Sequence, residues 1–287
     1  MTAGPAPAAG DPLLVSDGVP RDHQELDLGG LAGVTDRGLR HERNEDAIAL
    51  ATVATAGGDP VMILVVCDGV STADRPDEAS LAAARAAAEE LLAAAQAGTS
   101  PSEASVRAAA AAREAVAALA GGGESPAATF VSAVVAGGTI TVCWLGDSRA
   151  YWLDVGDEGS ARLLTRDDSL AEEMVALGLM PEAEALTSPQ AHVVTRWIGP
   201  EADSLVPHIT EFSPPGPGVL MLCSDGLWNY APDAGTLAGL AMPGALADPL
   251  AAGGRLVEFA LDAGGMDNIT VALAPYPAEV RSRRTSP

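Results

Sequence analysis

Short apolar runs separated by polar loops and glycine turns make up most of this chain. Residues 61–67 are apolar without a break and rich in Val and Ile, which is typical of a strand buried on both faces. Two further runs flank Gly137-Gly138, a pattern that indicates a β-hairpin. A succession of such short strands favours antiparallel sheets. In all, the pattern predicts strands at about 31–35, 46–53, 61–67, 129–135, 139–145, 150–153, 205–211, 218–223 and 269–274.

Two Ala-rich segments predict a pair of helices between the third and fourth strands. The first covers residues 76–97, opening with Pro76 and ending before Gly98, and the second covers about 102–120. Each has one stripe of larger apolar residues, so we expect both to lie on a sheet. Beyond them, the pattern predicts helices at about 169–177 and 247–262 and an irregular, proline-broken insert over about 178–204.

The two ends of the chain differ from the rest. Residues 1–27 are rich in Ala, Pro, Gly and Asp and have little periodicity, so we expect a disordered arm. Residues 276–287 carry three Arg residues, and we expect a loose tail. The start of the chain lacks a basic, apolar leader, and no apolar run is long enough to cross a bilayer. We therefore expect neither a signal peptide nor a membrane span.

Composition excludes several classes of function. Among 287 residues, 39 are acidic and 16 basic, and every basic residue is Arg, giving a net charge of -23. Such a chain has no basic surface with which to neutralise phosphates, which argues against nucleic-acid binding. The absence of Lys excludes P-loop and Schiff-base mechanisms. The three cysteines, Cys67, Cys143 and Cys223, lie inside apolar runs, which indicates buried thiols and a reducing, cytoplasmic compartment.

Acidic residues recur at the ends of the apolar runs. Asp68 follows residues 61–67, Asp225 follows 218–223, and Asp267 comes just before 269–274. Glu45 and Asp46 stand in the same way at the start of 46–53. A carboxylate this close to an apolar core requires a partner, and Arg75 is the one basic residue close downstream of Asp68. The repetition therefore predicts hard divalent cations bound by oxygen ligands.

Six short motifs contain most of the candidate chemistry. In chain order they are RHERNED at 40–46, DGV at 68–70, GDSR at 146–149, TRDDS at 165–169, SDGLWN at 224–229 and DNITV at 267–271. Together they resemble the metal-dependent protein phosphatase family, the type 2C Ser/Thr phosphatases, in its bacterial form. The resemblance covers about residues 28–275, which we expect to be the catalytic domain. It implies an α+β fold, a four-layer αββα sandwich of two antiparallel β-sheets flanked by helices.

The resemblance also implies two Mn²⁺ or Mg²⁺ ions and a set of ligands. Asp68 resembles the carboxylate that bridges both ions, and Gly69 the residue that contributes its carbonyl. Glu45 resembles a ligand of one ion, with Asp46 beside it. The remaining implied ligands are Asp225 and Asp267 at the other ion, with Asp147 and Asp225 at a third, weaker site. Asn268 is expected to shape its loop.

The implied reaction is hydrolysis of phosphoserine or phosphothreonine by a metal-bridged hydroxide that attacks phosphorus in line. Relatives bind phosphate with an Arg four residues before the metal-binding Glu; here that position is His41, flanked by Arg40 and Arg43. We favour Arg40, so Asp68 and Arg40 are the expected catalytic residues, and either water or His41 would protonate the leaving group. The expected partners are phosphorylated proteins, including a Ser/Thr kinase or its targets. We expect a monomer that binds neither nucleic acid nor membrane.

Two alternatives compete with this interpretation. Cys143 and Arg149 have the spacing of cysteine-dependent phosphatases, although Asp147 between them would repel phosphate. The second alternative is a member of the family without turnover that acts as a binding or regulatory module, against which the retained acids argue.

Overall fold

Two antiparallel sheets contain all twelve strands in the part of the chain that the structure describes. This computed structural model describes residues 12–18, 21–54, 60–121, 123–154, 161–185, 188–201 and 206–277. The strands are β1 (Leu13–Val15), β2 (His23–Asp27), β3 (Ala32–Asp36), β4 (Asp46–Val53), β5 (Val61–Asp68), β6 (Phe130–Ala136), β7 (Thr139–Leu145), β8 (Arg149–Asp154), β9 (Arg162–Leu163), β10 (His208–Phe212), β11 (Gly218–Cys223) and β12 (Ile269–Tyr276). The helices are α1 (Pro76–Ala97), α2 (Pro101–Ala117), α3 (Leu170–Ala176), α4 (Glu182–Ala185), α5 (Asp225–Trp228), α6 (Ala234–Ala241) and α7 (Pro249–Asp262), with a 3₁₀ helix at Pro189–His192.

The two sheets have six strands each and face one another. The first has the order β1-β4-β5-β6-β7-β10, and the second has the order β2-β3-β12-β11-β8-β9. Helices α1 and α2 cover the outer face of the first sheet, and α5, α6 and α7 cover that of the second. The result is a four-layer αββα sandwich, which confirms the predicted fold class.

Strand β5 shows how the apolar pattern produces these layers. Successive side chains of a strand point to opposite faces. Ile63, Val65 and Cys67 accordingly pack under α1 and α2, whereas Leu64 and Val66 pack between the two sheets. The prediction that residues 61–67 are buried on both faces is therefore confirmed.

Small side chains let the helix pair lie close to the first sheet. The buried faces of α1 and α2 consist mainly of Ala, including Ala83, Ala87, Ala108 and Ala112. Ala has the highest helix propensity and loses no side-chain entropy on folding. A chain with few aromatic residues can therefore still bury the outer face of its first sheet.

The prediction of a disordered arm is wrong for residues 13–15 and 23–27. The first of these segments, β1, pairs with β4 and forms one edge of the first sheet, and β2 pairs along β3. Four of the five residues of β2 are polar, so no apolar pattern marks it, and pairing with a sheet edge supplies its backbone hydrogen bonds instead. Residues 1–11 and 278–287 lie outside the described residues.

Smaller differences concern element ends and short helices. Strand β10 begins at 208 rather than 205, α2 ends at 117 rather than 120, and β12 extends to Tyr276. Helices α5 and α6 occupy a stretch whose Pro and Gly residues gave no helical pattern. No helix among the described residues is both long and apolar enough to cross a bilayer.

Candidate functional site

Two acidic residues meet at one end of the first sheet. In the antiparallel pair β4–β5, Asp46 lies directly opposite Asp68. Strand alternation puts both on the same side as Ile48 and Val66, which pack between the sheets. Both carboxyl groups therefore point toward the second sheet.

The second sheet contributes two more acids at the same end of the sandwich. Asp225 is the first residue of α5, directly after β11 and Ser224, and Asp267 lies two residues before β12. The hydroxyl of Ser224 donates a hydrogen bond to Oδ2 of Asp46, at 2.8 Å. This bond joins the ends of the two sheets and brings the acids of both into one cleft.

A fifth acid comes from the turn between β7 and β8. Asp147 is buried, and its carbonyl accepts a hydrogen bond of 2.9 Å from the indole Nε1 of Trp228. Its negative charge acts on the carboxyl groups of both Asp68 and Asp225. We refer to Asp46, Asp68, Asp147, Asp225 and Asp267 as the acid cluster.

Burial and mutual repulsion raise the pKa values of four cluster members. The pKa of Asp68 is raised well above its usual range, first by burial and then by the charges of all four other members. Asp225 is affected in the same way, with burial as the largest cause and Asp147 next. Burial raises the pKa of Asp46 to about 6 and that of Asp147 to about 7. Nearby cations would reverse these shifts, because they favour the ionised carboxylates.

The donor set fits divalent cations. Among the described residues, Oδ1 of Asp46 and Oδ1 of Asp225 are buried without a hydrogen-bond partner. Buried polar oxygens are rarely left in this state, and binding of a cation is one accepted reason for it. Carboxylate oxygens are also the ligands that Mg²⁺ and Mn²⁺ prefer. Within the described part of the chain, no group of three Asp, Glu, His or Cys side chains is arranged closely enough to hold one metal ion by itself. Backbone or water oxygens would therefore have to complete the coordination.

Glu45 lies beside the acid cluster with a different set of contacts. Its Oε1 accepts a hydrogen bond of 3.0 Å from Nε of Arg43, and its Oε2 accepts one of 2.6 Å from the hydroxyl of Ser71. Gly69 packs tightly here, since a Cβ at this position would lie 2.3 Å from the carbonyl oxygen of Pro76. Only glycine permits this close approach, which explains the Asp-Gly pair physically.

The candidate phosphate-binding residues differ in their contacts. Arg40 is exposed and forms no ion pair within the described residues. Arg43 contacts both Glu45 and Asp77, at 3.0 and 3.5 Å. Nε2 of His41 lies 3.0 Å from Oδ1 of Asp267.

Several residues that organise the site were not predicted or were only partly predicted. Asn268 was expected to shape its loop, and this is confirmed: its Oδ1 accepts a bond from the Glu45 amide, and its Nδ2 donates to the carbonyls of Arg37 and Arg43. Arg21, in the supposed disordered arm, donates to the carbonyl of Asp46. The only feature of the sequence that could have pointed to a role for Arg21 is its positive charge within an otherwise acidic segment.

Arg149 and Asp167 form a buried ion pair that supports Trp228. The guanidinium donates from Nε and Nη2 to the two oxygens of Asp167, at 2.9 and 2.7 Å. Its Cζ lies 3.7 Å from the ring centroid of Trp228. Because Trp228 in turn bonds the carbonyl of Asp147, this stack reaches the acid cluster.

The geometry argues against cysteine chemistry. Cys143 lies within β7, fully buried, and burial raises the pKa of its thiol to about 12. A nucleophilic cysteine needs a lowered pKa and access to substrate. The guanidinium of Arg149, moreover, is bound to Asp167 rather than free to hold phosphate.

Comparisons with known proteins agree with this arrangement. A sequence model described as Protein phosphatase 2C matches residues 37–238. The serine/threonine protein phosphatase PstP of Mycobacterium tuberculosis is 32% identical over 140 residues, which are 48% of this chain and 25% of PstP. The protein phosphatase PhpP of Streptococcus pneumoniae is 33% identical over 150 residues, which are 50% of this chain and 59% of PhpP. The matches thus span less than two thirds of these curated relatives.

Solved structures extend the match to most of the chain. The PPM Ser-Thr phosphatase MsPP from Mycobacterium smegmatis, solved in complex with cacodylate, has a TM-score of 0.68 at 30% identity. That match covers 85% of this chain and 97% of MsPP. The catalytic domain of PstP in complex with two manganese ions has a TM-score of 0.59 at 26% identity, covering 85% of this chain and 96% of that one. With a family match over more than half of its length, the chain belongs to the protein phosphatase 2C family.

Proposed function

We propose that this protein is a metal-dependent serine/threonine phosphatase that hydrolyses phosphoserine and phosphothreonine in other proteins. The observation that carries the proposal is the convergence of the acid cluster. Five carboxyl groups from distant parts of the chain share one cleft, and two of their buried oxygens have no partner among the described residues. Family membership and the two manganese ions bound by the PstP catalytic domain support the same chemistry.

In this proposal the acid cluster would hold two Mn²⁺ or Mg²⁺ ions, and Asp147 and Asp225 would hold a third, weaker ion. Asp68 is central among the acids, since the charges of all four others act on it, and it would contribute to holding the ions. Gly69 would add its carbonyl oxygen, and Glu45 would act as a further ligand. When bound, such ions lower the pKa of water from about 16 to about 7 and neutralise charge on a phosphoryl group.

The chain's own residues would position the substrate and the acids. Arg40, exposed and unpaired in the described residues, would bind the phosphate oxygens of the substrate. Ser224 and Asn268 would hold Asp46 and the Glu45 loop in place through their hydrogen bonds. His41 contacts Asp267 and is one source of a proton for the leaving group, with water as the other.

The expected setting is the cytoplasm, where phosphorylated proteins, a Ser/Thr kinase or its targets would be the partners. Cys67, Cys143 and Cys223 are buried free thiols, which supports a reducing compartment. We expect a monomer that acts without nucleic acid or membrane. Size-exclusion chromatography with light scattering tests the oligomeric state.

The decisive experiment measures phosphate release from a phosphothreonine peptide with and without Mn²⁺. We expect turnover that requires the metal, stops with chelator and is unaffected by a thiol-alkylating reagent. Manganese binding should be followed separately by calorimetry. Binding without turnover would instead support a regulatory module, and sensitivity to alkylation with resistance to chelator would support the cysteine mechanism.

A further inference from the structure

A cavity of about 310 Å³ opens beside the acid cluster. Asp267 of the acid cluster lines it, as does Gly226 next to Asp225, and Trp228, Tyr230 and Met266 form much of its remaining wall. Binding sites for small ligands span roughly 300–1,000 Å³, so this cavity lies at the lower end and suits one large side chain. None of the proposed metal or phosphate contacts uses these three apolar walls.

The cavity walls are held in place before any ligand binds. Trp228 is fixed by the Arg149 guanidinium over its ring and by its bond to the carbonyl of Asp147. The hydroxyl of Tyr230 accepts a hydrogen bond of 2.9 Å from the Met266 amide, which joins two walls that are 36 residues apart in the chain. A preformed cavity avoids the ordering cost that binding otherwise carries.

The rim combines an exposed thioether with an exposed imidazole ring. Met266 is 57% exposed, so its flexible thioether side chain is accessible at the mouth of the cavity. On the other side, His192 at the end of the 3₁₀ helix lies parallel to the ring of Trp228, with centroids 6.4 Å apart and planes 7° apart. An exposed, flexible Met beside aromatic rings is typical of surfaces that bind varied apolar side chains.

Charge narrows the choice of ligand. None of the described residues that line the cavity is Lys or Arg, so an acidic side chain would find no strong counter-charge there. Asp267 is already in contact with His41, so it offers less to an incoming Lys or Arg. The aromatic and thioether walls instead favour aromatic or long aliphatic groups.

We propose that this cavity binds an aromatic or large aliphatic side chain of the protein substrate, close in sequence to the phosphorylated residue. The proposal rests on the proposed phosphatase function, because the acid cluster places the phosphoryl group next to the cavity. It makes Met266 and His192 specificity-determining residues. The protein would then prefer phosphorylation sites flanked by such a residue.

Phosphothreonine peptides with one varied position test this proposal. In a Gly/Ala background, each position from three before to three after phosphothreonine is set in turn to Phe, Leu, Arg, Glu or Gly, and kcat/KM is measured with Mn²⁺. We expect kcat/KM with Phe or Leu to exceed that with Gly about tenfold at one position. A single methylene in a hydrophobic pocket typically changes kcat/KM by about 10–200-fold, so this expectation lies at the lower end. In Met266→Ser and His192→Ala, this ratio should fall toward one. The matched control is Val106→Ser, which alters an exposed apolar residue on α2 outside the cavity and should keep the ratio.

Each other outcome has a defined meaning. A preference for Arg, the absence of any preferred position, or ratios unchanged in both variants would overturn the proposed subsite while leaving the phosphatase function intact. If the wild-type protein releases no phosphate from any peptide with Mn²⁺, both proposals fail. Both substituted side chains are exposed, so the variants should fold normally. Circular dichroism verifies this.

Discussion

Asp46 and Asp68 face each other directly across the antiparallel pair β4–β5, at the end of a strand pair that is otherwise apolar. Like charges in directly opposed positions destabilise a sheet. Burial adds a further cost, and it is the main reason that the pKa values of both carboxyl groups are raised. Functional sites commonly keep such unfavourable arrangements because activity requires them. A bound cation would attract both carboxylates and so offset the repulsion between them.

The metal-free protein should lose stability as pH rises from 6 to 7.5. In the folded state the pKa of Asp46 is raised to about 6 and that of Asp147 to about 7, whereas an unfolded Asp titrates near 4. The folded state therefore binds more protons in this window, so the free energy of unfolding decreases as they are released, by about 2 kcal/mol. Denaturant titrations in chelator measure the change.

Two comparisons make this prediction specific. Asp147→Asn should reduce the pH dependence, since it removes one of the titrating groups. Saturating Mn²⁺ should raise the free energy of unfolding and abolish the loss, because the ions keep the carboxylates ionised. A metal-free protein that gains stability between pH 6 and 7.5 would contradict the argument.

Asp225→Asn should weaken manganese binding and reduce turnover by at least about a hundredfold, since even residues behind the ligands typically contribute 10–100-fold. The fold should persist, because the change removes a repelling charge. Calorimetry reports the binding and phosphate release reports the turnover. Asp262→Asn, at an exposed acid at the end of α7, is the matched control and should change neither quantity. Normal manganese affinity in Asp225→Asn would show that this residue is not a ligand.

Arg40→Ala and Arg43→Ala should have different effects. Arg40 is exposed without an ion pair in the described residues, so its loss should raise KM for a phosphopeptide about tenfold with little change in kcat. Arg43 contacts Glu45, and its loss should instead alter the affinity for manganese. Steady-state kinetics and calorimetry on both variants separate these effects. If Arg43→Ala raised KM more than Arg40→Ala, Arg43 would be the phosphate-binding residue.

Asp167→Asn should destabilise the protein by about 3 kcal/mol, because it leaves the Arg149 guanidinium buried beside Trp228 without its counter-charge. The ion pair Arg166–Glu172 is a matched control, since the Arg166 side chain is 61% exposed. Arg166→Ala should change stability by less than about 1 kcal/mol. Thermal and denaturant unfolding provide the measurement. Equal effects of the two substitutions would mean that burial of the Arg149 pair has no energetic consequence.

The predictions from sequence succeeded where local pattern and tertiary environment agree. Strands β4 and β5 and helix α1 match their predicted ranges closely, since their apolar periodicity reflects the faces that they bury. Strand β2 lacks this apolar periodicity because four of its five residues are polar, and it is held by pairing with β3 instead. Helices α5 and α6 are short and begin next to turn residues, so periodicity could not reveal them.

For the site, each acid was visible individually at the end of an apolar run. Their assembly depends on sheet topology: β4–β5 and β11–β12 belong to different sheets, and only the stacking of those sheets brings Asp68 and Asp225 into one cleft. The stack of Arg149 on Trp228 and the cavity beside Asp267 join residues far apart in the chain. Local sequence patterns cannot predict such contacts.

The sequence by itself determined the order of short strands and Ala-rich helices, the identity of the acidic residues, and the family resemblance that implied the layered α+β architecture, because these depend on local periodicity and on short motifs. Tertiary structure alone decided which carboxyl groups repel one another, which oxygens lack partners, and where Trp228 and Met266 open a cavity. The physical reason is that electrostatic repulsion and cavity shape depend on distances through space, and chain order does not specify those distances until the sheets have packed.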